Sequence, residues 1–154
     1  MRAGLMVAPL LVVAIGNESR GDDALAPLLL RRLQGEGWDQ AEFIEDYQLQ
    51  VEHVTDLAGR RAVLFIDADV SCEAPFDLSP ITAVHDNSYT SHAMSPAALL
   101  HAYRQVYGAD APPGFLLRVR GYGFELGEDI SAEAAANLEL AIGRTRTWLA
   151  DTAG

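Results

Sequence analysis

The run Ala8-Pro9-Leu10-Leu11-Val12-Val13-Ala14-Ile15, broken by Gly16-Asn17, decides the fold. It carries no charge and is rich in Val and Leu, as a strand buried on both faces must be, and such strands belong to parallel sheets covered by helices. Asp22 to Leu33 then reads as a helix, with acidic residues in its first turn and Arg31-Arg32 in its last, as the helix dipole favours. Leu25, Leu28, Leu29 and Leu33 lie on one face of it at helical spacing, and Gly35 and Gly37 end it.

Working outward, the same alternation repeats. Strands are expected over 41–45 (AEFIE), 61–67 (RAVLFID), 81–85 and 114–120 (GFLLRVR). Helices are expected over 51–58, over 95–107 with Ser95 as N-cap and Pro96 in the first turn, and over 131–150. Strands alternating with helices predict an α/β domain with a mostly parallel sheet. The Pro-containing link 73–80 has no room for a crossover helix, so one strand is expected to run antiparallel. No repeat or linker divides the chain, and 1–154 is read as one domain.

The chain has 154 residues with 22 acidic and 11 basic side chains, a formal net charge of −11. Every basic residue is Arg; Lys is absent, and nothing in the sequence gives that a functional reason. So acidic a surface repels phosphate backbones, which argues against nucleic acid as a partner and favours a basic segment or a metal cation. Arg2 ahead of the apolar run loosely mimics a signal peptide, but cleavage there would delete the best strand. With no other segment of membrane-spanning length, no membrane partner is expected. The single cysteine, Cys72, excludes an internal disulfide and fits a reducing compartment such as the cytoplasm.

Ligands of open α/β sheets bind beyond the carboxyl ends of the strands. Polar clusters fall there at Asn17 to Asp23 and Asp67 to Asp69, and Ser88 to His92 precedes a marked helix. If the first and third strands are neighbours, Asp22 or Asp23 approaches Asp67, and His92 joins from the helix side. Two carboxylates and an imidazole suit a divalent transition metal. Ordinary readings compete: Asp22 and Asp23 fit a plain helix N-terminus, Asp67 a turn, and His92 a solvated loop histidine. His53, His85 and His101 read as structural or surface groups, and Cys72 as a small apolar residue.

The segment Ile15-Gly16-Asn17-Glu18-Ser19-Arg20-Gly21-Asp22-Asp23-Ala24-Leu25-Ala26-Pro27 resembles the opening of the hydrogenase maturation proteases. The resemblance continues, in order, through Tyr47-Gln48-Leu49-Gln50-Val51-Glu52, Phe65-Ile66-Asp67-Ala68, Ser91-His92-Ala93-Met94-Ser95-Pro96 and Gly123-Phe124-Glu125-Leu126-Gly127-Glu128. It implies a twisted five-stranded sheet with helices on both faces. It also implies an endopeptidase that removes the C-terminal extension of a nickel-loaded [NiFe]-hydrogenase large-subunit precursor. The family's metal positions fall on Asp23, Asp67 and His92, with the nickel supplied by the precursor as a recognition element. Asn17, Asp22, Asp46 and Gln48 stand as supporting site residues, and Glu45 competes with Asp46 for the acidic position after the second strand. Ala14 and Ala26 depart from glycines common in the family, and Asp23 is a methylene shorter than the Glu of some relatives.

Three other readings remain open on the residues. One is a non-proteolytic nickel carrier or maturation chaperone on the same fold. A second is a nucleotide-binding module, disfavoured because Ala14-Ile15-Gly16-Asn17 lacks a G-x-G-x-x-G fingerprint. The third is a metal-independent peptidase. It has no G-x-S-x-G elbow for a serine nucleophile, but Asp23 and Asp67 qualify as an aspartic dyad.

Overall fold

A computed structural model describes residues 7–85 and 94–153. Its strands are β1 (Leu10–Ile15), β2 (Ala41–Asp46), β3 (Ala62–Asp69), β4 (Phe76–Ile81) and β5 (Gly114–Arg120). Its helices are α1 (Leu25–Gln34), α2 (Val54–Leu57), α3 (Pro96–Tyr107) and α4 (Ala132–Ala153). Short 3-10 turns over Gly21–Ala24 and Val51–His53 lead into α1 and α2.

The strands form one sheet in the order β2-β1-β3-β5-β4, parallel throughout except for the β4–β5 pair. Alternation along the strands builds two cores, as the two-residue period of side chains requires. Leu10, Val12, Ala14, Leu64 and Ile66 pack with Leu29 and Leu33 of α1 and Leu138, Ile142 and Trp148 of α4. Leu11, Val13, Val63 and Phe65 pack on the other face with Leu57 of α2 and Leu99 and Tyr103 of α3. The continuous apolar run of β1 is therefore the signature of a central strand with helices on both sides.

Helix starts follow the local chemistry. The Ser95 hydroxyl accepts from the Ala98 N–H at 3.0 Å ahead of Pro96, and the Ser131 hydroxyl accepts from the Ala134 N–H at 3.2 Å to open α4. The expected helix over 51–58 is shorter, a 3-10 turn followed by the four residues of α2.

The expected fourth strand, 81–85, is displaced: the strand is Phe76–Ile81, which shares only Ile81 with that expectation and otherwise lies in the stretch read as a link. Pro80 sits inside it. β4 is an edge strand paired only with β5, where a missing N–H costs no second ladder. Its alternation holds it in place: Phe76 and Leu78 pack on the α1–α4 core, while Asp77 lies across from Arg118 and binds it at 2.9 Å.

Candidate functional site

β1 and β3 are neighbours, with Ile15 in register with Asp67 on one side and with Asp46 on the other. The row Val63, Phe65, Asp67 continues the face that packs on α2 and α3, so Asp67 ends a buried apolar row at the carboxyl edge of the sheet. Its side chain is half-buried. Desolvation pushes its pKa up to about 7, and the charge of Asp23 nearby adds to the rise. Asp23 is raised in turn by its own burial, opposed by a hydrogen bond from the Asn17 N–H (2.9 Å to Oδ2) and by the charge of Arg20. Asp23 and Asp67 thus form an interacting acidic pair, and Asp67 sits near half-protonation at neutral pH.

The position of Asp23 is set by the sharp exit from β1. The Gly16 N–H donates to the Asp46 carbonyl at 3.1 Å, and a Cβ on Gly16 would lie 2.2 Å from the Asp23 carbonyl oxygen. Only a residue without a side chain lets the backbone of the 3-10 turn approach so closely. Gly16→Ala is therefore expected to force β1 and the turn apart, costing about 2 kcal/mol or more in urea denaturation and displacing Asp23. A variant as stable as the parent would contradict that contact.

Arg118 is in register with Asp67. Its guanidinium goes instead to Asp77 at 2.9 Å and Asp69 at 3.4 Å, and Asp69 also accepts from the Ser71 N–H and hydroxyl. The charge of Asp69 adds a smaller contribution to the raised Asp67 pKa. This Asp69–Arg118–Asp77 cluster was missed in the sequence, because its members converge only once β4 is known to pair with β5.

The remaining expected site residues separate by role. Asn17 shapes the loop: its N–H holds Asp23 and its Oδ1 accepts from the Ser19 N–H at 2.8 Å. Asp22 is 1% exposed and turns away from Asp67. Its carboxylate accepts from the N–H groups of Tyr122 (2.7 Å), Gly123 (3.2 Å) and Ser131 (2.7 Å) and from the Ser131 hydroxyl (2.9 Å). Burial works against its ionised form, but these hydrogen bonds outweigh it and hold its pKa below the ordinary range. Asp22 thus fastens the loop between β5 and α4 to the loop after β1.

Of the two acidic residues that end β2, Asp46 shares the face of Ile15 and Asp67, whereas Glu45 pairs with Arg31 of α1 at 2.6 Å. Asp46 lies 3.3 Å from Nε2 of His53, whose Nδ1 accepts from the Gln50 N–H at 2.9 Å. Gln48 is half-buried on the same loop. Cys72 is buried and its thiol pKa is raised by desolvation, as an inert apolar residue should be. His92 lies outside the described residues. Met94, two positions on, is bridged to Leu49 of the loop after β2, which brings the chain leading into α3 to the carboxyl edge. Among the described residues no group of three His, Cys, Asp or Glu side chains comes together as a metal site.

Chemically, an interacting pair of carboxylates, one of them raised to about 7, can serve as acid and base. Once deprotonated they offer hard oxygen donors to a divalent cation, in competition with protons.

No family model matches the sequence, and no curated protein matches it. Solved structures do. The hydrogenase maturating endopeptidase HybD from E. coli is similar over 93% of both chains, with a TM-score of 0.72 at 22% identity. The [NiFe] hydrogenase maturation protease HycI from Thermococcus kodakarensis is similar over 92% of both chains, with a TM-score of 0.71 at 19% identity. The endopeptidase HycI from Escherichia coli is similar over 90% of both, with a TM-score of 0.67 at 16% identity. The chain has the fold of the hydrogenase maturation endopeptidases across nearly its whole length. No helix among the described residues is long and apolar enough to cross a membrane.

Proposed function

We propose that this protein is a hydrogenase maturation endopeptidase that removes the C-terminal extension of a [NiFe]-hydrogenase large-subunit precursor in the cytoplasm. The observation that carries the reading is the Asp23–Asp67 pair at the carboxyl edge of a sheet shared with such endopeptidases. Nickel enters as cargo of the precursor. Asp23, Asp67 and His92 are assigned as the residues that meet it, the remaining ligands coming from the precursor. Two carboxylates and one imidazole leave coordination positions open for ligands from the precursor. The metal then acts as a checkpoint that positions the scissile segment. The loop 16–23 holds Asp23, and the apolar row behind Asp67 limits the water around the reacting carbonyl.

A metal-independent reading is supported by the raised pKa of Asp67, about 7, to which the nearby charge of Asp23 contributes, as in an acidic dyad. In that reading the ionised carboxylate takes a proton from water while its protonated partner donates to the carbonyl oxygen.

The test is intact-mass measurement of the cognate large subunit, loaded and free of nickel, after incubation with this protein. Loss of a C-terminal peptide from the loaded form alone is expected. Cleavage of both forms would favour the dyad, and no cleavage of a loaded precursor would move the assignment to a nickel carrier or chaperone.

A further inference from the structure

The connections that follow β1, β2, β3 and β5 all leave the sheet at the carboxyl edge, and hydrogen bonds stitch them into one face. The Gly16 N–H donates to the Asp46 carbonyl, the Gly121 N–H to Asp69, the Asp22 N–H to Gly123 and the Gly127 N–H to Ser19. Counted from the last residue of each strand (15–24, 46–53, 69–75 and 120–131), they carry ten acidic side chains and two arginines. That is eight of the eleven excess negative charges of the chain. Of the two arginines, Arg120 is tied to the Cys72 carbonyl at 2.9 Å and lies over the Tyr122 ring at 4.9 Å. The same face exposes large apolar side chains: Tyr47 (70%), Val51 (50%), Val70 (53%), Tyr122 (43%) and Leu126 (69%). Isolated exposed apolar residues are ordinary, but a group of them set in concentrated charge of one sign marks a surface that meets a partner.

We propose that this face is the docking surface for a precursor segment that is both apolar and positively charged. Tyr47, Val51, Val70, Tyr122 and Leu126 contact its side chains, and the surrounding carboxylates select its charge. The proposal rests on the endopeptidase reading and adds the class of segment accepted. Of the ten carboxylates, Asp22 is buried and Asp69 and Glu18 are paired with Arg118 and Arg31, so an anionic segment would meet the remaining seven, whereas a cationic one is drawn to them and held by apolar contact. Four neighbouring strand ends span about 15 Å, the length of roughly five extended residues, so a short segment suffices to cross from the loop after β2 to the loop after β5.

The test measures fluorescence anisotropy of labelled peptides of about ten residues, matched in apolar content, with net charges of about +3, 0 and −3. The cationic peptide is expected to bind the full chain at least about tenfold more tightly than the anionic one in low salt, with the gap narrowing at roughly 0.3 M salt. The double variant Tyr47→Ser/Leu126→Ser is expected to lose about fivefold or more in affinity with an unchanged melting temperature. Equal binding of the three peptides, or undiminished binding by the double variant, overturns the proposal. So does a dimer in sedimentation that the double variant abolishes, since a second copy would then own the face. Peptides bound with the expected preference beside an uncut loaded precursor would sink the endopeptidase reading and spare the docking face. A cut precursor with no charge preference would do the reverse.

Discussion

Asp67→Asn is expected to end processing of the loaded precursor and, in the same molecule, to raise stability above neutral pH. The first effect follows from removing one of two interacting carboxylates, a loss of about a thousandfold or more when the partners act as a unit. The second follows from the sign of the pKa shift. Asp67 is raised to about 7 in the folded chain, so the fold favours its protonated form. That contribution is fully present below the carboxylate pKa of the unfolded chain, about 4, and is lost as the pH climbs through 7. At pH 8 the wild-type protein carries an ionised, desolvated carboxylate beside Asp23 at a cost on the order of 3 kcal/mol, which Asn does not incur. The variant should melt several degrees higher than wild type at pH 8 and nearly level with it at pH 4. A variant that still trims the precursor, or that melts lower at pH 8, would contradict the role given to this side chain.

Asp22→Ala is expected to behave in the opposite way and to damage the fold itself. The buried carboxylate accepts four hydrogen bonds at 1% exposure, and its loss takes the acceptor from the partly buried N–H groups of Tyr122, Gly123 and Ser131. Leaving such donors unpaired costs about 3 kcal/mol or more. Because its pKa is depressed, the stability Asp22 supplies is present above about pH 4 and fades only as acid protonates it. Thermal unfolding at pH 7 should show a drop of about 10 °C. Asp22→Asn, which keeps one acceptor oxygen, should fall between. An unchanged melting temperature for Asp22→Ala would mean that the loop between β5 and α4 is held by something else.

These adjacent acidic residues show how far the sequence could be read. The apolar runs of β1 and β3 and the cap at Ser95 are local signals, and the elements they announce are where they were expected. The neighbourhood of β1 and β3, on which the approach of Asp23 to Asp67 depends, was a conditional inference that the sheet order makes definite. The different fates of Asp22 and Asp23 were not legible, because the partners of Asp22 lie about a hundred residues away. Glu45 and Asp46 likewise separate only through the sheet, which turns one toward Arg31 and the other toward the Asp67 face. β4 was misplaced because Pro80 argues against a strand unless the strand is known to lie at an edge.

The measurement that tests the central claim most directly is the titration of the Asp67 carboxyl by carbon-detected NMR, in the wild-type chain and in Asp23→Asn. A midpoint near 7 is expected in the wild type, moving down when the neighbouring charge is removed. An ordinary carboxylate midpoint in the wild type, or one that ignores Asp23→Asn, would show that the two aspartates do not share a site.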